Sequence, residues 1–411
     1  MRKWFTLSFL SLAFFFYMAD RALFGLLVIP IQKSTGLNDV QIGFVDTAMF
    51  WVYAILVPFA GMLGDRFDRR KIITIAILLW GAATALTGFV GGFLGFIVVR
   101  SVLVTGVQAL YTPCATALIA EEHKGTRTIA LSVHQAAMYI GLMSSGAIVA
   151  TALAGLGGWQ GVYILFGALT VVVGIAFWFV VVHLGAARQE GVPSAPRVQR
   201  SIKQGMKAFF GNPAALCAGF GYMTVLFVTN AYAAWAPKFV ASKFSLGVGA
   251  SGKGVMFYHN FAALLAILAA GFLTDALVKR NAKARLLLQI GALVAGAPLL
   301  VFFGFAPSVG LVWAAIAAWG IARGLFQSNA FASVFDVVPP ESRASAVGFL
   351  NVLTALVCSV SPLAMGALSQ RYGIRGFEMG FAGMGGLLIL GAVALLVSCA
   401  ALFEKRRIVK E

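Results

Sequence analysis

Twelve apolar stretches, each about long enough to cross a bilayer, run the length of this chain and leave it few folds. A spanning helix needs roughly 20 residues. The predicted spans are 5–30, 41–62, 72–92, 95–119, 128–153 and 161–183, then 213–239, 251–277, 284–305, 309–335, 343–368 and 377–402. Charged residues make up only 11% of the chain, against about 25% in an ordinary soluble domain. It cannot cover a water-facing surface. The expected fold class is an all-α integral membrane protein.

The net charge of +17 suggests a nucleic-acid partner until its distribution is read. Even-numbered connections carry most of the basic residues: Arg66, Arg69, Arg70 and Lys71, then Lys124 and Arg127, then Lys279, Arg280, Lys283 and Arg285. The longest polar stretch, 184–212, adds Arg197, Arg200, Lys203 and Lys207 and reads as a cytoplasmic linker, in part an amphipathic helix. Arg2, Lys3, Lys405, Arg406, Arg407 and Lys410 put the same signature at both ends. Positive charge collects on the cytoplasmic side, so both termini are expected there and no nucleic acid is implied. Arg2 and Lys3 ahead of an apolar run imitate a signal peptide. The run continues past Asp20 and Arg21 to Pro30 with no small-residue cleavage site, as a first span does.

The chain also repeats itself. Gly61, Leu63, Asp65, Arg69 and Arg70 return as Gly271, Leu273, Asp275, Lys279 and Arg280, 210 positions later. A second echo sets Arg127 and Ala130 against Arg343 and Ala346. Two related six-helix halves are therefore expected, 1–183 and 213–411, joined by the 184–212 linker. Tandem halves of this kind imply a pseudo-two-fold axis along the membrane normal and a substrate site near the midplane.

Residues 61–70 resemble the G-x-L-x-D-R-x-x-R-R signature of the major facilitator superfamily, and the resemblance extends over essentially the whole chain. It implies two pseudo-symmetric bundles and transport by alternating access. It also implies cytoplasmic gates built from Gly61, Asp65, Arg66, Arg69 and Arg70 and from Asp275, Lys279 and Arg280. Asp20 and Arg21, followed by Pro30 and by Gln41 and Gly43, look like the anion:cation symporter branch and the related Spinster-like lipid transporters. In those groups the first-span aspartate takes a proton and a fourth-span arginine, here Arg100, links it to substrate. Many also carry a glutamate seven residues after that arginine. Here the position is Val107, followed by Gln108, and the second carboxylate is missing.

Charges inside a bilayer are costly and usually functional. Neighbours on a helix point about 100° apart, so Asp20 and Arg21 cannot share one direction; the expectation is Asp20 toward Arg100 and Arg21 toward a cavity. Proton coupling is assigned to Asp20, Arg100 and His134. Substrate contact is assigned to Arg21, Arg100, Asn230, Tyr232, His259, Arg323, Gln327 and Asn351, with Tyr258, Asn260 and Asn329 as further polar positions. Asn230 is the neutral counterpart of Asp20 in the second half. Three arginines against Asp20 and Asp46 leave a positive field that a carboxylate or phosphate would balance. His123 and His183 are expected at solvated membrane edges.

Cys114, Cys217, Cys358 and Cys399 have unrelated spacings and read as packing residues. No metal ligand set and no cofactor motif is present; the glycines between Gly247 and Gly254 follow no strand and lack a Ser/Thr after Lys253. The expectation is a secondary transporter, not an enzyme: a proton- or sodium-coupled symporter of a small organic anion such as a sugar acid. A Spinster-like carrier of lysolipid and an exporter of hydrophobic compounds are the alternatives. A monomer surrounded by membrane lipid, in a bacterial inner membrane, completes the expectation.

Overall fold

A computed structural model describes residues 2–123, 125–183 and 202–408. Among them are twelve helices long and apolar enough to span a membrane. The first six are α1 (Lys3–Leu26), α2 (Asp39–Gly64), α3 (Arg69–Thr87), α4 (Phe93–Glu122), α5 (Ile129–Gly155) and α6 (Trp159–Val181). The others are α7 (Pro213–Phe244), α8 (Val248–Val278), α9 (Ala284–Phe305), α10 (Val309–Phe335), α11 (Ala346–Tyr372) and α12 (Ile374–Arg406). This is the expected all-α membrane architecture. Most of the linker lies outside the described residues, but Ile202–Phe210 forms a helix.

Prolines account for some of the places where backbone hydrogen bonds are lost. The first span ends at Leu26, earlier than expected, and a short helix, Val28–Thr35, follows. Pro30 has no N–H to offer the Leu26 carbonyl, so the ladder breaks there. Pro237 likewise deprives the Ala233 carbonyl, and the chain opposite is Gly25, where any side chain would strike that oxygen. Pro362 deprives the Cys358 carbonyl, and the amide of Asn230 donates to it at 3.4 Å. An orphaned backbone group inside a membrane needs such a partner.

The chain divides into two compact units. Unit 1 comprises Met1–Ala195, Ala233–Ala241 and Ser245–Phe257; unit 2 comprises Pro196–Tyr232, Ser242–Phe244 and Tyr258–Glu411. In unit 1, α3 lies along α6 and α1 along α5. In unit 2, α9 lies along α12, which repeats the α3–α6 pairing at the equivalent place. Glycine permits these close contacts, as usual between membrane helices. A side chain at Gly141 of α5 would meet the Phe15 backbone of α1, whereas one at Gly155 would meet nothing. Gly141→Val is therefore expected to destabilise the protein by about 1–3 kcal/mol and Gly155→Val far less, read as melting temperature in detergent.

The part of α7 that belongs to unit 1 is also tied by charge. Lys238 pairs with Asp39 and donates to Gln32 at 2.8 Å, while Gln32 donates to Asp39 at 2.7 Å.

Candidate functional site: a buried Asp–Arg–Gln cluster and a second arginine

The fourth span is not a uniform α-helix. Residues Ile97–Val104 form a π-helical segment, a departure often found at functional sites. It positions Arg100, which is wholly buried, as is Asp20 of α1. Arg100 Nη1 donates to both carboxylate oxygens of Asp20, at 2.8 and 2.9 Å, and Nη2 donates to the Asp20 backbone carbonyl. The ring of Tyr163 from α6 lies 5.3 Å from the guanidinium carbon. Thr84 of α3 donates to Oδ1 at 3.4 Å.

The remaining donor is Gln108, whose Nε2 reaches Asp20 Oδ2 at 2.8 Å. In a regular α-helix the residue seven after Arg100 shares its face, and the eighth lies about 80° away. The π-helical segment absorbs one extra residue, so the slot counted as Val107 belongs to Gln108. Val107 instead packs against the apolar core. The second carboxylate is still absent, but the position holds an amide that binds the first.

Arg21 points elsewhere, as the 100° rule requires. Its guanidinium lies 4.8 Å from the centre of the Phe50 ring and 5.8 Å from that of Tyr53, and it donates to the Tyr17 hydroxyl. Asp46 of α2 attracts both Arg21 and Arg100 but forms no ion pair with either among the described residues.

Unit 2 carries its own cluster. Arg323 Nη1 lies 2.9 Å from Nε2 of His259. A guanidinium only donates, so that imidazole nitrogen accepts. The Tyr232 ring stands 4.7 Å from the His259 ring, and Gln327 contacts Tyr222. Arg323 meets no carboxylate among the described residues.

Other assigned residues fall outside these clusters. His134 is buried between Phe14, stacked at 4.3 Å, and Tyr111 at 6.2 Å; among the described residues neither ring nitrogen has a hydrogen-bond partner, and the ring does not contact Asp20. Asn230 serves the Cys358 carbonyl, and Asn329 donates to Thr274 at 3.1 Å. Asn351 is exposed, and Tyr258 stacks on Trp313 at 5.7 Å. His123 corrects an expectation: it is 1% exposed rather than solvated, with Nε2 at 3.0 Å from the Lys3 carbonyl and Nδ1 at 3.1 Å from the Thr126 hydroxyl. The His183 side chain lies outside the described residues. Cys114, Cys358 and Cys399 are buried and Cys217 is partly so.

At the gate, Arg69 pairs with Glu121 and Arg70 with Glu122 at 2.7 Å, fastening the α2–α3 turn to the end of α4. Asp68 caps α3 by accepting from the Arg70 N–H at 2.9 Å. Arg66 is exposed, a side chain at Gly61 would meet nothing, and the Asp65 side chain lies outside the described residues. In the second half Asp275, Lys279 and Arg280 are exposed. Arg285, not the repeated pair, binds Asp336 at 2.8 Å.

Known proteins resemble this chain in sequence and in fold. Protein spinster homolog 1 of Xenopus laevis is 29% identical over 217 residues, 52% of this chain and 41% of that protein. Protein spinster of Drosophila melanogaster is 26% identical over 384 residues, 90% of this chain and 62% of that protein. The matched region thus spans less than two thirds of either relative. A crystal structure of a bacterial homolog to the human lysosomal transporter Spinster, inward-facing and occupied, superposes with a TM-score of 0.86 at 17% identity, covering 100% of this chain and 99% of that one; this likeness concerns the fold. The Major Facilitator Superfamily model matches residues 10–362 and again 261–407. This chain is a multi-pass membrane protein that belongs to the Major Facilitator Superfamily.

Proposed function

We propose that this transporter carries a small organic anion by alternating access, coupled to a proton at Asp20. The observation that carries the proposal is the wholly buried Asp20 carboxylate, held by Arg100 and Gln108, beside an arginine that meets no carboxylate. Arg21 is adjacent to Asp20 in sequence and, among the described residues, forms no ion pair. An anion bound at Arg21 and a proton bound at Asp20 offset each other's charge. Each therefore favours the presence of the other, and this linkage is reciprocal. Joint occupancy makes the carrier a symporter. Arg323, with His259 and Tyr232, is the anion-binding group of the second unit.

A second reading, transport of a lysolipid or similar amphiphile, is favoured by the Phe50 and Tyr53 rings around Arg21 and by the spinster relatives. We place both termini in the cytoplasm on the bias of the basic residues, and the chain in a bacterial inner membrane on its compactness and short loops.

One experiment tests the coupling. The purified protein is reconstituted in liposomes containing a pH-sensitive dye, and sugar acids, lysolipids and neutral sugars are added outside. Substrate-dependent acidification is expected with sugar acids for the native protein and is expected to fall to background in Asp20→Asn. Uptake indifferent to both the pH gradient and Asp20→Asn sinks the proposal; acidification with lysolipids alone selects the amphiphile.

A further inference from the structure

Unit 2 contains a cleft of about 540 Å³ formed by the end of α8, the first three quarters of α9 and the middle of α10. Its lining is apolar apart from Arg280 and Asn281, which stand together in the turn between α8 and α9. We propose that this cleft holds an acyl chain of an anionic phospholipid from the cytoplasmic leaflet, with the lipid phosphate on Arg280.

Three independent observations converge. The first is shape. Gly291 lies in the cleft, and a side chain there would find no atom within 4 Å, so the missing side chain leaves space that no protein atom fills. The flanking Leu287 and Ile321 are 46% and 48% exposed. In water such a hollow would be an apolar liability; in a bilayer it is a groove that a lipid chain fills.

The second observation is charge. The repeat gives both halves a basic pair after the second helix, but among the described residues only the first pair is neutralised, by Glu121 and Glu122. The offset of 216 that carries Arg127 onto Arg343 carries those glutamates onto Val337 and Val338. The second half has lost both partners. Among the described residues Arg280 makes no ion pair, and its side chain is exposed at the mouth of an apolar groove. Basic pockets between helices on the cytoplasmic side are suited to anionic lipid head groups, and a guanidinium binds phosphate oxygens well.

The third observation is position. Ile321 and Leu325 line the cleft, while Arg323 lies between them in sequence. Residues two apart on a helix point about 200° apart. The groove and the Arg323–His259 pair therefore use opposite faces of α10, so this lipid site is separate from the proposed substrate site and independent of it.

The test compares dioleoyl phosphatidylglycerol, dioleoyl phosphatidylcholine and inorganic phosphate on the detergent-purified full chain. Retention is followed by native mass spectrometry and stabilisation by melting temperature. Phosphatidylglycerol is expected to be retained about five-fold better than phosphatidylcholine and to raise the melting temperature, with no effect from phosphate. Arg280→Gln is expected to equalise the two lipids, and Gly291→Leu to reduce retention of both by filling the groove. Equal retention of the two lipids by the native protein overturns the proposal. So does a phosphatidylglycerol preference that survives in both variants, or an equal stabilisation by phosphate alone, which would mark a free-anion site.

Discussion

Replacing Arg100 with methionine is expected to lower the melting temperature in detergent by about 6–20 °C, and Asp20→Asn by a comparable amount. Removing one member of a buried ion pair typically costs about 3–5 kcal/mol, and in a body of about 200 residues each kcal/mol corresponds to about 2–4 °C. The cost is large here because both side chains are fully buried. Methionine at 100 would strand the Asp20 carboxylate with Gln108 and Thr84 as its remaining donors. Asparagine at 20 would leave a buried guanidinium facing an amide. The double variant Asp20→Leu with Arg100→Met is the discriminating one. Apolar replacement of a whole buried pair is often neutral or stabilising, so it should recover much of the lost melting temperature while proton coupling stays at background. A double variant that recovered transport together with stability would reduce the pair to a structural brace.

The second large effect is expected at Arg323. Truncating one partner of a buried charged contact costs about 2–5 kcal/mol of binding, so Arg323→Ala should weaken binding of an anionic ligand on the order of 100-fold. Ligand-induced stabilisation of the purified protein measures this without knowledge of the transport direction. The variant also frees Nε2 of His259, so His259→Gln, which keeps a hydrogen-bonding group beside Arg323, serves as the companion and should lose less. Stabilisation by neutral compounds alone, unchanged in Arg323→Ala, would defeat the anion assignment.

The parts of this molecule that were legible in the sequence share one property: the membrane forces them. Twelve spans can be counted because a bilayer sets their length, and the pairing of Asp20 with Arg100 follows because two buried charges of opposite sign need each other. What stayed hidden depends on backbone irregularity or distant packing. Asn230 was read as a neutral stand-in for Asp20 facing substrate, yet its amide serves a carbonyl that Pro362 orphans more than a hundred residues away. The partners of Arg69 and Arg70, Glu121 and Glu122, lie about fifty residues on, at the end of another helix, and no spacing in the sequence joins them. Solvent at His123 was inferred from its place at a span end; the Lys3 carbonyl that covers its ring could not be seen in a pattern of apolar runs.

The π-helical segment at Ile97–Val104 bears on how relatives are to be compared. An insertion of one residue within a spanning helix does not shorten a loop or add a bulge visible in hydropathy; it is taken up as widened turns, and every position after it keeps its face only if the count is advanced by one. An alignment of this chain with a carrier whose fourth span is regular therefore belongs with its gap inside 97–104. Placed in a loop instead, the gap would set Val107 opposite a functional residue and hide the amide that binds Asp20.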